Sequence, residues 1–261
     1  MYYTRFFHKS QVEKKGERME QIYTIPVNEA FDRAASEESC GCPFCALYNH
    51  LEENELDLIL GASMMEPDVR QKTNEQGFCH RHFGNMFHRK NRLGLGLILE
   101  SHLDKVHRDL SGDGLLSLLS GTGTAPIKKL GRLEESCYVC GRIEMHFSRM
   151  YDTVLLLYGQ EGEFRRKFAA QPYFCLPHYR RLIALAKETM NKKAFADFYA
   201  VASAIEEKYI SSLSEDVSWF CKKFDYRYAD EPWYNAKDSV ERSIRFLAGD
   251  MGSTPTGGEK K

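Results

Sequence analysis

The sequence predicts an all-α protein built from two tandem helical repeats. Apolar residues recur at helical spacing through most of the chain, whereas the alternation typical of a β-strand never lasts beyond a few residues. One pattern of cysteines and histidines also occurs twice, with an offset of 95 to 96 residues, which is typical of a duplicated unit. We therefore expect two copies of one helical unit that share a single core, each clipped by its own zinc site.

The repeated pattern is a CxxC motif followed by a CxxH motif, separated by 33 residues in the first copy and 34 in the second. The predicted ligands of the first site are Cys42, Cys45, Cys79 and His82, and those of the second site are Cys137, Cys140, Cys175 and His178. His80 lies beside the first CxxH motif but aligns with Leu176 in the second copy, so His82 is the expected ligand.

Zinc is the metal that this ligand set favours, with two ions per chain. Three thiolates and one imidazole form a common tetrahedral structural site, whereas an iron–sulfur cluster usually takes four cysteines. A catalytic zinc keeps one position open for water, and neither set leaves one. We expect each motif to begin a helix, where free backbone N–H groups stabilise thiolates. Both sites are therefore predicted to be structural, and no catalytic residue is predicted.

The first repeat is placed at residues 21–119, and its helices follow from the motifs. Pro43 suits a first helical turn, and the apolar residues after it keep helical spacing. Pro67 opens a short helix that Gly77 ends before the CxxH helix begins. A longer helix, 95–111, then carries apolar residues around much of its circumference, so it needs cover from several directions.

The remaining segments are assigned by the same criteria. The Gly- and Ser-rich stretch after the first repeat predicts a linker. An aromatic stretch around a proline predicts a loop and helix packed across the bundle, and the two chain ends are predicted to be disordered. The predicted segments are the extension 1–20, the linker 120–132, the second repeat 133–224, the aromatic loop and helix 225–248, and the tail 249–261.

Composition and charge restrict the function. The net charge of -1 gives no overall attraction to nucleic acid or to an anionic membrane. The apolar runs are too short to span a bilayer, and the first residues lack the features of a signal peptide. These observations predict a cytoplasmic protein without a membrane partner. Because thiols stay reduced in that compartment, the eight cysteines are interpreted first as metal ligands.

The function that this sequence favours is a non-enzymatic module that binds another protein. One alternative is an enzyme that uses Glu66, Asp68 and Arg70 in a cleft between the repeats. A second is a redox-responsive zinc–thiolate protein with Cys40 as the resolving thiol. The third is nucleic-acid binding through basic helices such as the one at 80–92.

Three stretches carry a resemblance to a known family: "GASMMEPDVR", "NEQGFC" and the closing "KKFDYRYADEPWYNAKDSVERSI", together with the second pair of cysteine motifs. Over about residues 21–248 the chain resembles an uncharacterised family of bacterial proteins from Gram-positive anaerobes. That family is a domain of unknown function. The resemblance implies a cytoplasmic bacterial protein and brings no established activity.

Overall fold

The structure, a computed structural model, describes residues 22–111, 124–160 and 162–250. These residues form α-helices joined by short turns, and none of them lies in a β-strand, so the predicted all-α class is confirmed. The extension predicted at 1–20 lies outside the described residues. The predicted tail does too, apart from Gly249 and Asp250, and the backbone N–H of Asp250 donates to the sulfur of Cys45.

The order of the helices repeats, as the duplicated motifs predict. The first series is α1 (residues 22–36), α2 (Pro43–Leu60), α3 (Pro67–Gln76), α4 (His80–His88) and α5 (Arg92–Ser111). The second is α6 (Thr124–Glu135), α7 (Tyr138–Gly159), α8 (Glu163–Ala169), α9 (Leu176–Thr189) and α10 (Lys192–Lys222), after which α11 (Ser239–Ala248) follows. Short 3₁₀ turns occupy Glu38–Cys40, Ala62–Met65 and Tyr226–Tyr228.

The linker predicted at 120–132 is wrong over most of its length, because α6 already begins at Thr124. The segment predicted as a linker includes an amphipathic stretch, in which Leu130 and Leu133 lie one helical turn apart. Leu133 packs so closely on Gly77 that a Cβ at that glycine would lie 3.2 Å from it. Tertiary packing therefore fixes α6 as a helix.

The chain forms two compact units that are not consecutive in sequence. The first unit contains the residues up to Asn49 and those from Phe147 onward, and the second unit is His50–His146. The division falls within α2 and within α7, so each unit combines segments of both repeats. The compact units therefore do not coincide with the sequential repeats at 21–119 and 133–224. The predicted helix 95–111 and the long helix α10 of the second repeat belong to different units, whereas a single core shared by the two repeats was expected.

Aromatic side chains fill the core of the first unit. The ring of Phe31 is fully buried, with its centroid between 5.1 and 6.2 Å from four other phenylalanine rings. Those neighbours are Phe44, Phe164, Phe168 and Phe174. The C-terminal helix α11 packs on α9 and α10, and its Phe246 ring lies 5.4 Å from that of Tyr209. The helical part of the segment 225–248 therefore packs on helices of the second repeat.

Aliphatic side chains dominate the core of the second unit. Its largest fully buried members are Leu56, Ile59, Met86, Ile98 and Ile143. They come from α2, α4, α5 and α7, so these helices are held together by apolar contacts as well as by their polar groups. Among the described residues, no helix is both long enough and apolar enough to cross a membrane.

Candidate metal centres

The structure gathers all eight predicted ligands into two groups of four. The group that we call the buried centre consists of Cys42, Cys45, Cys175 and His178, and it lies in the first unit. The group that we call the exposed centre consists of Cys79, His82, Cys137 and Cys140, and it lies in the second unit. Within each group the candidate ligand atoms all lie within 4.8 Å of one another.

The predicted pairing of the motifs within each repeat is wrong. Each centre takes its CxxC motif from one repeat and its CxxH motif from the other. The physical reason lies in α2 and α7, which begin in one compact unit and end in the other. The CxxC motif at the start of each helix is thereby placed beside the CxxH motif of the opposite repeat. Each centre consequently joins the two repeats and clips neither of them internally.

The distances within both groups fit a tetrahedral zinc ion. With ordinary zinc–sulfur and zinc–nitrogen bonds, the sulfur–sulfur edges of the tetrahedron are about 3.8 Å long and the sulfur–nitrogen edges about 3.5 Å. In the buried centre the Cys45 and Cys175 sulfurs are 3.6 Å apart, and His178 Nδ1 lies 3.5 Å from the Cys45 sulfur. In the exposed centre, the Cys79 and Cys140 sulfurs are 3.9 Å apart.

Nδ1 is the histidine nitrogen that faces the thiolates in both centres. In the exposed centre, His82 Nδ1 lies 3.2 Å from the sulfurs of Cys79 and Cys137 and 3.4 Å from that of Cys140. Three sulfurs and one imidazole nitrogen at these distances could hold a metal ion. An ion held by all four would have a tetrahedral set of ligands supplied entirely by side chains.

All four motifs begin helices, as predicted. Cys79 and Cys175 are the N-cap residues of α4 and α9, and His82 and His178 follow in the first turns. Cys42 and Cys137 directly precede α2 and α7. The first N–H groups of a helix have no partner within it, so they favour the negative charge of a thiolate at this position. In the exposed centre, for example, the Cys140 N–H donates to the sulfur of Cys137 at 3.5 Å.

Two glycines turn the chain into the ligand motifs. Gly41, with φ of 67°, precedes the CxxC motif of the buried centre, and a Cβ there would meet the hydroxyl of Tyr173 at 2.8 Å. Gly77, with φ of 58°, ends α3 before the CxxH motif, and its carbonyl accepts a hydrogen bond from Tyr138 N–H at 3.0 Å. A side chain would strain the backbone at either position.

A buried carboxylate orients the histidine of the exposed centre. His82 Nε2 lies 2.9 Å from Oε1 of Glu52, which is 6 % exposed and also pairs with Arg81. Such a carboxylate fixes the ring so that Nδ1 points at the metal and makes it a better donor. Sequence reasoning missed Glu52. The sequence held no local signal for it, because Cys45 at the start of α2 belongs to the buried centre and His82 lies 30 positions after Glu52 in the chain.

In the buried centre, aromatic rings and not a carboxylate pack around the ligand histidine. The His178 ring centroid lies 5.4 Å from that of Phe147 and 5.8 Å from that of Phe44, and its Nε2 is buried without a hydrogen-bond partner among the described residues. Phe147 occupies the position in the second repeat that Glu52 occupies in the first. At this pair of equivalent positions, the exposed centre therefore has a charged hydrogen-bond partner for its histidine, and the buried centre has an aromatic ring that packs on its histidine.

The free ligands of the exposed centre carry a thiolate and a charged imidazole. Hydrogen bonds with Cys140 and then with His82 lower the pKa of Cys137 to about 3, against the effect of burial. Burial opposes a charge on His82, but hydrogen bonds to Cys137 and Glu52 outweigh it and raise the pKa of His82 to about 9. A metal ion bound by His82 would have to displace that proton, so its binding at neutral pH would release protons and would weaken as the pH falls.

In the buried centre, too, one of the thiols is favoured as a thiolate. Hydrogen bonds with Cys175 and Cys42 hold the pKa of Cys45 far below its usual range, whereas burial raises the pKa of Cys42. The hydrogen bond with Cys42 favours the thiolate of Cys175, but the bond with Cys45 and burial outweigh it and raise the pKa of Cys175 to about 12. A metal ion bound here would displace protons as well.

The C-terminal end of the described chain contacts the buried centre. The backbone N–H of Asp250 donates to the sulfur of Cys45 at 3.2 Å, and the carbonyl of Asp250 accepts from Asn49 Nδ2 at 2.7 Å. The prediction of a disordered tail from residue 249 onward is therefore wrong for Gly249 and Asp250. The reason is that the positive φ of Gly249, 81°, turns the chain after α11 back toward α2.

The other cysteines and the spare histidine stay outside both groups. Cys40 is half-buried, with Arg33 Nε 3.5 Å from its sulfur, and Cys221 is exposed. His80 is exposed at the start of α4, while His82 is fully buried. The structure thus places His82, and not His80, among the candidate ligands.

The residues proposed for an enzyme are not part of the cavity that the structure shows in the second unit. Glu66 and Asp68 are exposed at the start of α3, and Arg70 donates to the carbonyl of Leu97 at 2.7 Å. The second unit has a cavity of about 360 Å³ between α3, α5 and α6. Its lining comprises Asn74, Glu75, Lys105, Val106, Asp109, Leu110, Lys129, Leu130, Arg132 and Leu133. Neither these three residues nor a metal ligand belongs to it.

The basic helices pair many of their charges within the protein. Arg81 on α4 pairs with Glu52. Arg89, the residue directly after α4, pairs with Asp57. In the second repeat Lys167 lies 2.8 Å from Asp32. A groove that follows a phosphate backbone needs cations that face solvent together, and these pairs weaken such a surface.

Comparison with known proteins identifies the family. A family model described as a family of unknown function, DUF6062, matches residues 19–254, and the chain belongs to that family. The comparison with curated proteins gives no match, and the comparison with solved structures gives none either.

Proposed function

We propose that the protein binds two zinc ions, one in each centre, and that both ions are structural. The observation that carries this proposal is the completeness of the two ligand sets at tetrahedral distances. In the buried centre the ligands Cys45 and His178 are 133 positions apart in the chain. In the exposed centre Cys79 and Cys140 are 61 positions apart. A metal that joins such distant segments offsets much of the entropy lost when the chain is ordered.

Metal analysis tests the proposal. Protein produced without added metal should contain two zinc ions per chain, and removing them with a strong chelator should lower the melting temperature. A single metal per chain, none, or iron with visible absorption would contradict it. The double variant Cys40→Ser/Cys221→Ser is the matched control, because both cysteines lie outside the two groups. It should keep two zinc ions.

We further propose that this zinc-stabilised scaffold binds another protein in the cytoplasm and is not an enzyme. The closed metal centres support a non-catalytic role. Support for a protein partner comes from the C-terminal segment, where Phe224, Tyr226 and Tyr234 are 76 %, 87 % and 69 % exposed. Exposed aromatic side chains are enriched where proteins bind one another. On α11 Val240, Ile244 and Leu247 form a second exposed apolar row at helical spacing.

Affinity capture from the organism that makes the protein tests the partner. Proteins recovered with the tagged wild-type chain should be lost with the double variant Phe224→Ala/Tyr226→Ala and kept with a control such as Lys187→Ala on α9. The variants should hold two zinc ions and melt like the wild type, because the altered side chains are exposed. Recovery that is equal with both variants would contradict the role assigned to this segment.

A further inference from the structure

The two centres differ sharply in their exposure to solvent. Every ligand of the buried centre is at most 3 % exposed. In the exposed centre His82 is fully buried, but Cys79 and Cys137 are only half-buried and Cys140 is exposed. Oxidants and chelators attack zinc-bound thiolates that they can reach, so the two centres should differ in reactivity even though they have the same ligand types.

The surroundings of Cys140 maintain this exposure. Gly141 follows it and has no side chain that could cover the sulfur, and the nearest atom to a Cβ built there would be 3.9 Å away. The buried centre has the opposite environment. Phe44 and Phe147 pack on its histidine, and Asp250 donates an N–H to the sulfur of Cys45.

We propose that Cys140 is an oxidation site, at which a peroxide converts the exposed centre to a disulfide and releases its zinc while the buried centre keeps its own. This inference rests on the proposed function, since it assumes that both centres hold zinc. It differs from the redox alternative drawn from the sequence, in which Cys40 was the resolving thiol: here Cys140 is oxidised first, and Cys79 or Cys137 is the resolving thiol. Cys40 is not part of either ligand group, so its oxidation would not remove a ligand.

The chemistry balances with hydrogen peroxide as the oxidant. The thiolate of Cys140 attacks one peroxide oxygen, the O–O bond breaks, and the departing hydroxide takes up a proton to become water. Cys140 is then a sulfenic acid. The thiolate of Cys79 or Cys137, each within 4.8 Å, attacks that sulfur and forms the S–S bond. The sulfenic oxygen leaves as a second water after protonation, and two electrons have passed from two thiolates to the peroxide.

Release of zinc should not unfold the second unit. Two ligands are consumed by the disulfide, and the remaining two hold zinc poorly. Three polar contacts in the same region do not need the metal: Tyr138 N–H with the carbonyl of Gly77, the Ser136 hydroxyl with the carbonyl of Gln76, and His82 with Glu52. The exposed centre can therefore cycle between a zinc form and a disulfide form within a folded protein.

The test uses the full chain with Cys40→Ser and Cys221→Ser, loaded with zinc, so that only ligand cysteines remain. Metal analysis first measures the zinc content, which should be two ions per chain. A lower content would contradict the proposed function itself, and that result is kept apart from the test of oxidation. Hydrogen peroxide is then added with a chromogenic zinc chelator. One zinc per chain should appear at a rate on the order of tenfold or more above the second. Peptide mapping should find Cys140 in a disulfide with Cys79 or Cys137.

The variant Cys140→His supplies a second test, because a set of two cysteines and two histidines also binds zinc. It should lose the fast phase of release while keeping two zinc ions. Reduction of the oxidised parent protein with added zinc should restore the original content. Simultaneous release of both ions, first release from the buried centre, or a disulfide without Cys140 would overturn the proposal. If Cys140→His binds only one zinc, the peptide mapping of disulfides in the parent protein is the test that decides whether Cys140 is the oxidation site.

Discussion

Replacing Glu52 with glutamine should weaken zinc binding at the exposed centre and leave the buried centre unchanged. The carboxylate of Glu52 accepts from His82 Nε2 at 2.9 Å and is almost completely buried. Glutamine keeps the shape and one acceptor oxygen but removes the negative charge. Without that charge the imidazole is a poorer donor to zinc, and Arg81 loses its ionic partner.

The expected magnitude follows from the role of such carboxylates at other metal sites. Their removal typically lowers metal affinity by about 10- to 100-fold, which corresponds to about 1.4–2.7 kcal/mol. We expect the lower half of this range, since glutamine can still accept a hydrogen bond. The buried centre is an internal reference. Among the described residues His178 has no carboxylate partner, and it lies beside Phe147, so the affinity of the buried centre for zinc should not change.

Competition with a chromogenic chelator measures the two affinities, and the order in which the cysteines become alkylated assigns each affinity to a centre. Glu55→Gln is the matched control. Glu55 is also buried on α2, but it pairs with Arg142 through two hydrogen bonds and contacts no candidate ligand in the described structure. An equal loss at both centres, or no loss at the exposed one, would refute the reasoning.

Two further predictions concern single residues. The folded state should lose stability as the pH rises from about 5 to 8, because burial raises the pKa of Glu206 to about 7 while the unfolded chain ionises near the ordinary value of 4.5. Glu206→Gln should remove this loss and raise the free energy of unfolding at pH 8 by about 1–3 kcal/mol, measured by urea titration of the zinc-loaded protein. If the free energy of unfolding depends on pH between pH 6 and pH 8 in the same way with and without the substitution, the prediction is contradicted. His82→Ala should reduce the zinc content to one ion per chain, whereas His80→Ala should keep two, as metal analysis can show. The reverse result would mean that the wrong histidine has been assigned to the exposed centre.

The sequence was sufficient for the fold class and for the identity of the eight candidate ligands. The four motifs placed the starts of α2, α4, α7 and α9, and Pro67 and Gly77 placed the two ends of α3. The alignment of the two copies separated His82 from His80, and the structure agrees. These features are local, so they can be derived from residues that are near one another in the chain.

The pairing of the motifs could not be derived in this way. The two copies have nearly the same spacing, so each CxxC motif has two CxxH motifs with identical chemistry available to it. The choice depends on how α2 and α7 run between the compact units, which is a property of tertiary packing. The contribution of Asp250 was hidden for a similar reason, since the hydrogen bond to Cys45 spans 205 positions of the chain.

The central claim is that each zinc joins the CxxC motif of one repeat to the CxxH motif of the other. The most direct measurement replaces zinc with an NMR-active cadmium isotope and records correlations between each metal and the β-protons of its cysteine ligands. One cadmium should correlate with Cys42, Cys45 and Cys175, and the other with Cys79, Cys137 and Cys140. A cadmium that correlates with Cys42, Cys45 and Cys79 would contradict the crossed arrangement.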